Sequence, residues 1–191
     1  MELKRVVVTG VGAITPLGHN VADTWAAILA GKSGAAPITH FNTEKFKTHF
    51  ACEVKDFDPK KYLDRKEANK MDLYTQFAMV AATEDVDYEK LDMEALDKNR
   101  VGVVLGVGIG GINSFEKEVT QYALTGAELG PKYSPFFIPK MIADIAAGQV
   151  SIKYGFHGPN FATTSACASS THAIATAVDL IRLGKADAIL S

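Results

Sequence analysis

The chain has 191 residues, of which 47% are hydrophobic and 22% charged, enough to bury a substantial core and near the usual size of one domain. A formal charge of −2 and a pI near 6.2 give no overall basic field, which argues against bulk attraction to nucleic acid or an anionic membrane. Cys52 and Cys167 lie far apart without metal-ligand spacing, and Met-Glu-Leu-Lys-Arg leads into a strand rather than a signal peptide, so a reducing cytoplasm is expected. No apolar run approaches the roughly 18 residues of a spanning helix.

The opening run Arg5-Val-Val-Val-Thr-Gly10 is continuously apolar and β-branched, which predicts an inner parallel strand buried on both faces. Asn20 then caps a predicted helix through Val21, Trp25, Ile28 and Leu29, ended by Gly31. An irregular, charged stretch covers 32–63. Asp64, with Glu67 three residues on, predicts a helix start whose apolar stripe runs through Met71, Tyr74, Phe77, Ala78 and Ala81. Val101–Gly106 reads as a second buried strand. It is followed by a glycine cluster, a helix near 112–124, a proline-rich loop from Pro131 to Pro139 and a helix near 140–153. A strand at 160–165, a helix at 168–183 closed by Gly184 and a strand at 186–190 complete the pattern. Repeated strand–helix alternation predicts an α/β fold, with helices layered on a mostly parallel sheet. The chain stops at Ser191 in an apolar strand without a polar tail, which leads us to expect a fragment.

Two glycine clusters invite a dinucleotide-binding reading. In Thr9-Gly-Val-Gly-Ala-Ile-Thr15 the third glycine is replaced by Thr15, and close backbone packing is the preferred role of Gly10 and Gly12. Gly106-Val-Gly-Ile-Gly-Gly111 satisfies the spacing, but the acid about twenty residues on, Glu128, stands in a segment without strand character, where the motif requires a strand end. No nucleotide cofactor is expected.

Thr163-Thr-Ser-Ala-Cys167-Ala-Ser-Ser-Thr-His172 places a cysteine where a strand gives way to a helix. The free amides and positive dipole end of a helix N-terminus favour a thiolate and can bind a developing oxyanion. Small neighbours leave room for a bulky thioester. A cysteine in an Ala-rich helix is otherwise a small packing residue, and the residues alone leave both readings open. His172, five residues on, lies about 140° around an ideal helix from Cys167 and is read as structural. His157 stands in a turn, and His19, His40 and His49 in connecting stretches; none is an evident base.

Five ordered segments together resemble the elongating β-ketoacyl-acyl-carrier-protein synthases of the second type. They are Lys4–Gly18, Arg65–Asp72, Ser134-Pro-Phe-Phe-Ile-Pro139, Tyr154–Pro159 and Thr164-Ser-Ala-Cys-Ala-Ser169. The resemblance implies a thiolase-like fold of two similar α/β halves, with residues 1–191 as the first half. It implies that Cys167 accepts an acyl chain and that decarboxylative condensation with malonyl-acyl-carrier protein follows, without metal or redox cofactor. The two histidines and the lysine that assist decarboxylation are then expected in the second half. It also implies that Ile109 and Phe137 line the acyl pocket, although ordinary packing accounts for both equally well. The implied partners are acyl carrier protein and a second copy in a homodimer. Because that carrier is acidic, Lys66 and Lys70, at i and i+4, with Lys132, form an expected docking patch, solvated lysines being the alternative. Asn69 stands where relatives often carry a basic residue, and the loop before Pro135 differs slightly in length. A thiolase proper would carry its cysteine nearer the N-terminus. A non-catalytic docking or dimerisation fragment is the other reading; inactive relatives typically replace the cysteine.

Overall fold

The computed structural model describes residues 3–89 and 92–191. Its centre is a three-stranded parallel sheet formed by β3 (Val101–Gly106), β4 (Asn160–Thr163) and β5 (Ala188–Leu190), after two short strands, β1 (Ala36–Pro37) and β2 (Phe50–Ala51), that pair antiparallel in the long excursion. β3 lies in the middle, with Val103 opposite Asn160 and Leu190, and Gly106 opposite Thr163. Val103 and Val104 point to opposite faces of the sheet and are both fully buried, so helices cover β3 on both sides, as the uninterrupted apolar run requires. The covering helices are α6 (Ile145–Tyr154) and α7 (Ser169–Arg182), and α3 (Leu73–Glu89) packs in turn on α6. Arg100 closes the N-terminal end of the sheet by donating from Nε and Nη2 to Asp187, just before β5. That hydrogen bonding holds the Asp187 carboxyl down to about 2.

Several expected elements form as read. The first helix, α1 (Val21–Leu29), is capped by Asn20, whose side chain accepts from the Asp23 amide at 2.7 Å. Gly12 sits where a Cβ would lie 1.9 Å from the Ala81 carbonyl oxygen, so the first glycine cluster serves the close approach of backbone to α3. Glu84, in the middle of α3, accepts from the amides of Ala13 and Val21 at 2.8 Å each and ties the N-terminal segment and the start of α1 to the core.

Three expectations are corrected. Residues 5–10 form no ladder among the described residues, and Val7 and Val8 are 56% and 83% exposed rather than buried. A strand buried on both faces needs a neighbour to bond. Here the sheet ends at β5 and the segment is held through Lys4 to Asp187 and Ala13 to Glu84. The single helix expected from Asp64 is two: α2 (Arg65–Ala68), capped by Asp64, and α3, entered through Asp72, which accepts from the Tyr74 amide. The proline-rich segment contains a short helix, α5 (Phe137–Met141), and the helix before it, α4 (Ile112–Leu129), runs beyond its expected end. Glu128 thus lies in a helix, not at a strand end. Among the described residues no helix is long and apolar enough to cross a membrane.

Candidate active site

The carboxyl ends of neighbouring parallel strands are where open α/β sheets place their ligands. Cys167 follows β4, and Ile109 follows β3, at that end of the sheet. After Thr163 the chain makes an elbow: Ser165 is at φ −151° and Ala166 at φ +50°, in the left-handed region that costs a residue with a Cβ about 1–2 kcal/mol. A 3₁₀ turn, Ala166–Ala168, then carries Cys167 into α7. The turn moves the helix start one residue beyond its expected place, to Ser169, and leaves the cysteine exposed in the turn before it.

Hydroxyl groups hold this elbow. Ser169, buried to 3% exposure, donates to the Ala166 carbonyl at 2.7 Å and accepts from the Ser165 amide at 2.9 Å. Thr163 Oγ1 donates to the Ser169 carbonyl at 2.8 Å, and the Ala168 amide donates to the Ser165 carbonyl at 3.1 Å. Beneath them, a Cβ on Gly106 would lie 2.3 Å from the Ser170 nitrogen, so only glycine lets the end of β3 meet the first turn of α7. The sequence shows these hydroxyls as small neighbours of the cysteine. Their bonding role was visible only as a cluster of Ser and Thr at a turn, where such side chains satisfy backbone groups.

His172 does not face away into solvent alone. Its Nδ1 lies 2.7 Å from Ser165 Oγ, on the residue that opens the elbow. His19 is held by Tyr62 and the Lys55 carbonyl, and His40 lies 3.9 Å from Glu53.

Ile109 is 71% exposed in the loop after β3. Phe137, half-buried at the start of α5, stacks between Phe115 at 6.2 Å and Tyr133 at 5.3 Å. The two loops are joined: the Gly111 amide donates to the Met141 carbonyl, and Asp72 accepts from the Ser114 amide and hydroxyl, the latter at 2.6 Å. Tyr74 donates to the Ile142 carbonyl at 2.6 Å; burial, then the charges of Asp72 and Asp144, push its phenol up. Asp72 was not foreseen as a link between α3 and the glycine cluster.

The lysines are arranged differently from expectation. α2 ends at Ala68, so Lys70 is no longer a helical i+4 neighbour of Lys66. Its Nζ instead stands 5.8 Å from the centre of the Phe136 ring, next to Phe137. Lys66 and Lys132 are exposed, and Lys132 precedes Tyr133 of the aromatic stack. Among the described residues no cluster of three or more His, Cys, Asp or Glu side chains is arranged to hold a metal ion.

Comparison with known proteins bears on the family and the fold. Residues 3–191 match the family model for the N-terminal domain of beta-ketoacyl synthase. A 3-oxoacyl-[acyl-carrier-protein] synthase 2 of Coxiella burnetii is 44% identical over 191 residues, which are all of this chain and 45% of that protein. Among solved structures, the ishigamide ketosynthase/chain length factor superposes with a TM-score of 0.84 at 28% identity, over 97% of this chain and 46% of that one. A type II PKS acyl-carrier protein in complex with its ketosynthase, bound to the hexaketide, gives 0.75 at 26% identity, over 94% of this chain and 47% of that one. The chain therefore spans a little under half the length of the relatives it matches, has the thiolase-like ketosynthase fold over that span, and belongs to the beta-ketoacyl synthase family.

Proposed function

We propose that residues 1–191 are the first half of a 3-oxoacyl-acyl-carrier-protein synthase of fatty acid biosynthesis, with Cys167 as its acyl-accepting nucleophile. The observation that carries this reading is the exposed cysteine at a strained elbow between a parallel strand and a helix, in a chain of this family. The Cys167 thiolate attacks the acyl thioester of a loaded carrier protein; a new carbon–sulfur bond forms and the carrier thiol leaves. Loss of carbon dioxide from malonyl-acyl-carrier protein then gives a carbanion that attacks the acyl carbonyl and releases the cysteine, yielding a β-ketoacyl chain two carbons longer. Covalent capture divides one difficult condensation into two steps.

Ile109 and Phe137 border the acyl chain in this proposal, and Lys66, Lys70 and Lys132 meet the acidic carrier. The contact of Lys70 with Phe136 supports it, because docking and chain-lining residues then share one region. The proposal includes a homodimer, in which a second copy covers exposed apolar residues such as Leu124 and Ile138, and a cytoplasmic setting. The groups that assist decarboxylation are assigned to the remaining length of the enzyme. Mixing the chain in stoichiometric amount with acyl-loaded carrier protein tests the transfer step: the carrier should return to its free-thiol form with wild type and not with Cys167→Ala. Equal recovery with both would overturn the assignment.

A further inference from the structure

We infer that His172 is a positioning residue for Cys167, acting through Ser165. The inference deepens the reading of Cys167 as acyl acceptor and rests on it for its functional meaning. Three observations carry it. The elbow holds Ala166 at φ +50°, a conformation that persists only where surrounding contacts enforce it. Ser165, the residue before it, is bonded from both sides of its backbone, its amide to Ser169 Oγ and its carbonyl to the Ala168 amide. Its side chain has one further partner, His172 Nδ1 at 2.7 Å, from the first full turn of α7.

His172 therefore clamps the entrance of the elbow to the helix that follows it. The Ser169 hydroxyl fixes the turn from beneath through its bonds to the Ala166 carbonyl and the Ser165 amide, and the Ser165–His172 bond fixes it from the exposed side, where Cys167 also lies. Without that clamp Ala166 is free to leave its left-handed conformation, and Cys167, the next residue, loses its fixed place in the turn. The ring binds a hydroxyl two residues from the cysteine, so it acts on the sulfur through the backbone and takes no proton from it in this inference.

The test is the rate at which iodoacetamide alkylates Cys167, measured by peptide mass spectrometry, with Cys52 of the same chain as an internal reference because it too is free and exposed. His172→Ala and Ser165→Ala should each slow Cys167 about tenfold, by loss of placement, and leave Cys52 unchanged. The double variant should be no slower than either single one, because both remove the same bond. His172→Asn, which keeps a hydrogen-bonding atom near the Nδ1 position, should restore the rate to within about twofold. A merely structural histidine would slow both cysteines or neither and would not distinguish asparagine from alanine. An unchanged Cys167 rate in His172→Ala, additive losses in the double variant, or no rescue by asparagine overturns the inference. Failure of wild type to take an acyl group from carrier protein, with this alkylation pattern intact, would remove the acyl-acceptor reading and leave the clamp standing.

Discussion

Replacing Gly106 by alanine sets a methyl group against the backbone of α7. The new Cβ would lie 2.3 Å from the Ser170 nitrogen, 2.4 Å from its Cα and 2.5 Å from the Ser169 carbonyl carbon. Carbon atoms rest at about 3.5–4.0 Å, so the helix start must retreat by about 1 Å or the strand must bend. Neither gives easily: β3 is the central strand, with Val103 and Val104 fully buried, and Ser169 is held by three hydrogen bonds. Overpacking costs about 1–3 kcal/mol, and a clash with backbone alone belongs at the upper end, about 2–3 kcal/mol. At about 2–4 °C per kcal/mol for a chain of this size, the melting temperature should fall by about 5–10 °C. Cys167 alkylation should slow as well, because the same turn carries the elbow. Gly108→Ala is the control, since no atom lies within 4 Å of its added Cβ, and it should melt within about 2 °C of wild type. A Gly106→Ala chain that melts with wild type and keeps its Cys167 reactivity would refute the argument that this close approach builds the site.

Charge reversal of Lys66 and Lys70 together should weaken association with acyl carrier protein by roughly tenfold at low salt and less at high salt, as a rim contact does. An unchanged dissociation constant by calorimetry would remove the docking patch. Asp85 gives a pH-dependent prediction: burial, then the charge of Glu84, push its carboxyl above the ordinary 3.8. Stability tied to its neutral form is complete below that ordinary value and is lost as pH rises through the raised one. Asp85→Asn should therefore raise the melting temperature at pH 7 and lose the advantage near pH 3; a gain at pH 3 that vanishes at pH 7 would contradict this.

Strand β3 was legible because an apolar run ending at glycine is a local signal, and the short runs of β4 and β5 flank a helix, α7, that Gly184 closes. The run at 5–10 carries the same signal, yet pairs with nothing among the described residues, because pairing depends on a neighbour and not on the run itself. The break between α2 and α3 was hidden because Met71 lies in phase with the α3 stripe, while Asp72 acts as a second cap. Of the candidate site, the cysteine and its position after a strand were visible. The elbow was not: a left-handed alanine has no composition signature, and the bonds from Ser169, Thr163 and His172 that hold it become apparent only when φ and side-chain directions are known. The lysine pair was misplaced for a related reason, since i,i+4 spacing places side chains together only while the helix continues.

The acyl-acceptor assignment is tested most directly by the intact mass of the chain after incubation with acyl carrier protein bearing a long acyl group. The account predicts an increase equal to one acyl group on wild type and on Cys52→Ala, and no increase on Cys167→Ala with its melting curve unchanged. An acyl adduct that persists in Cys167→Ala, or a wild-type chain whose mass does not change, would contradict it.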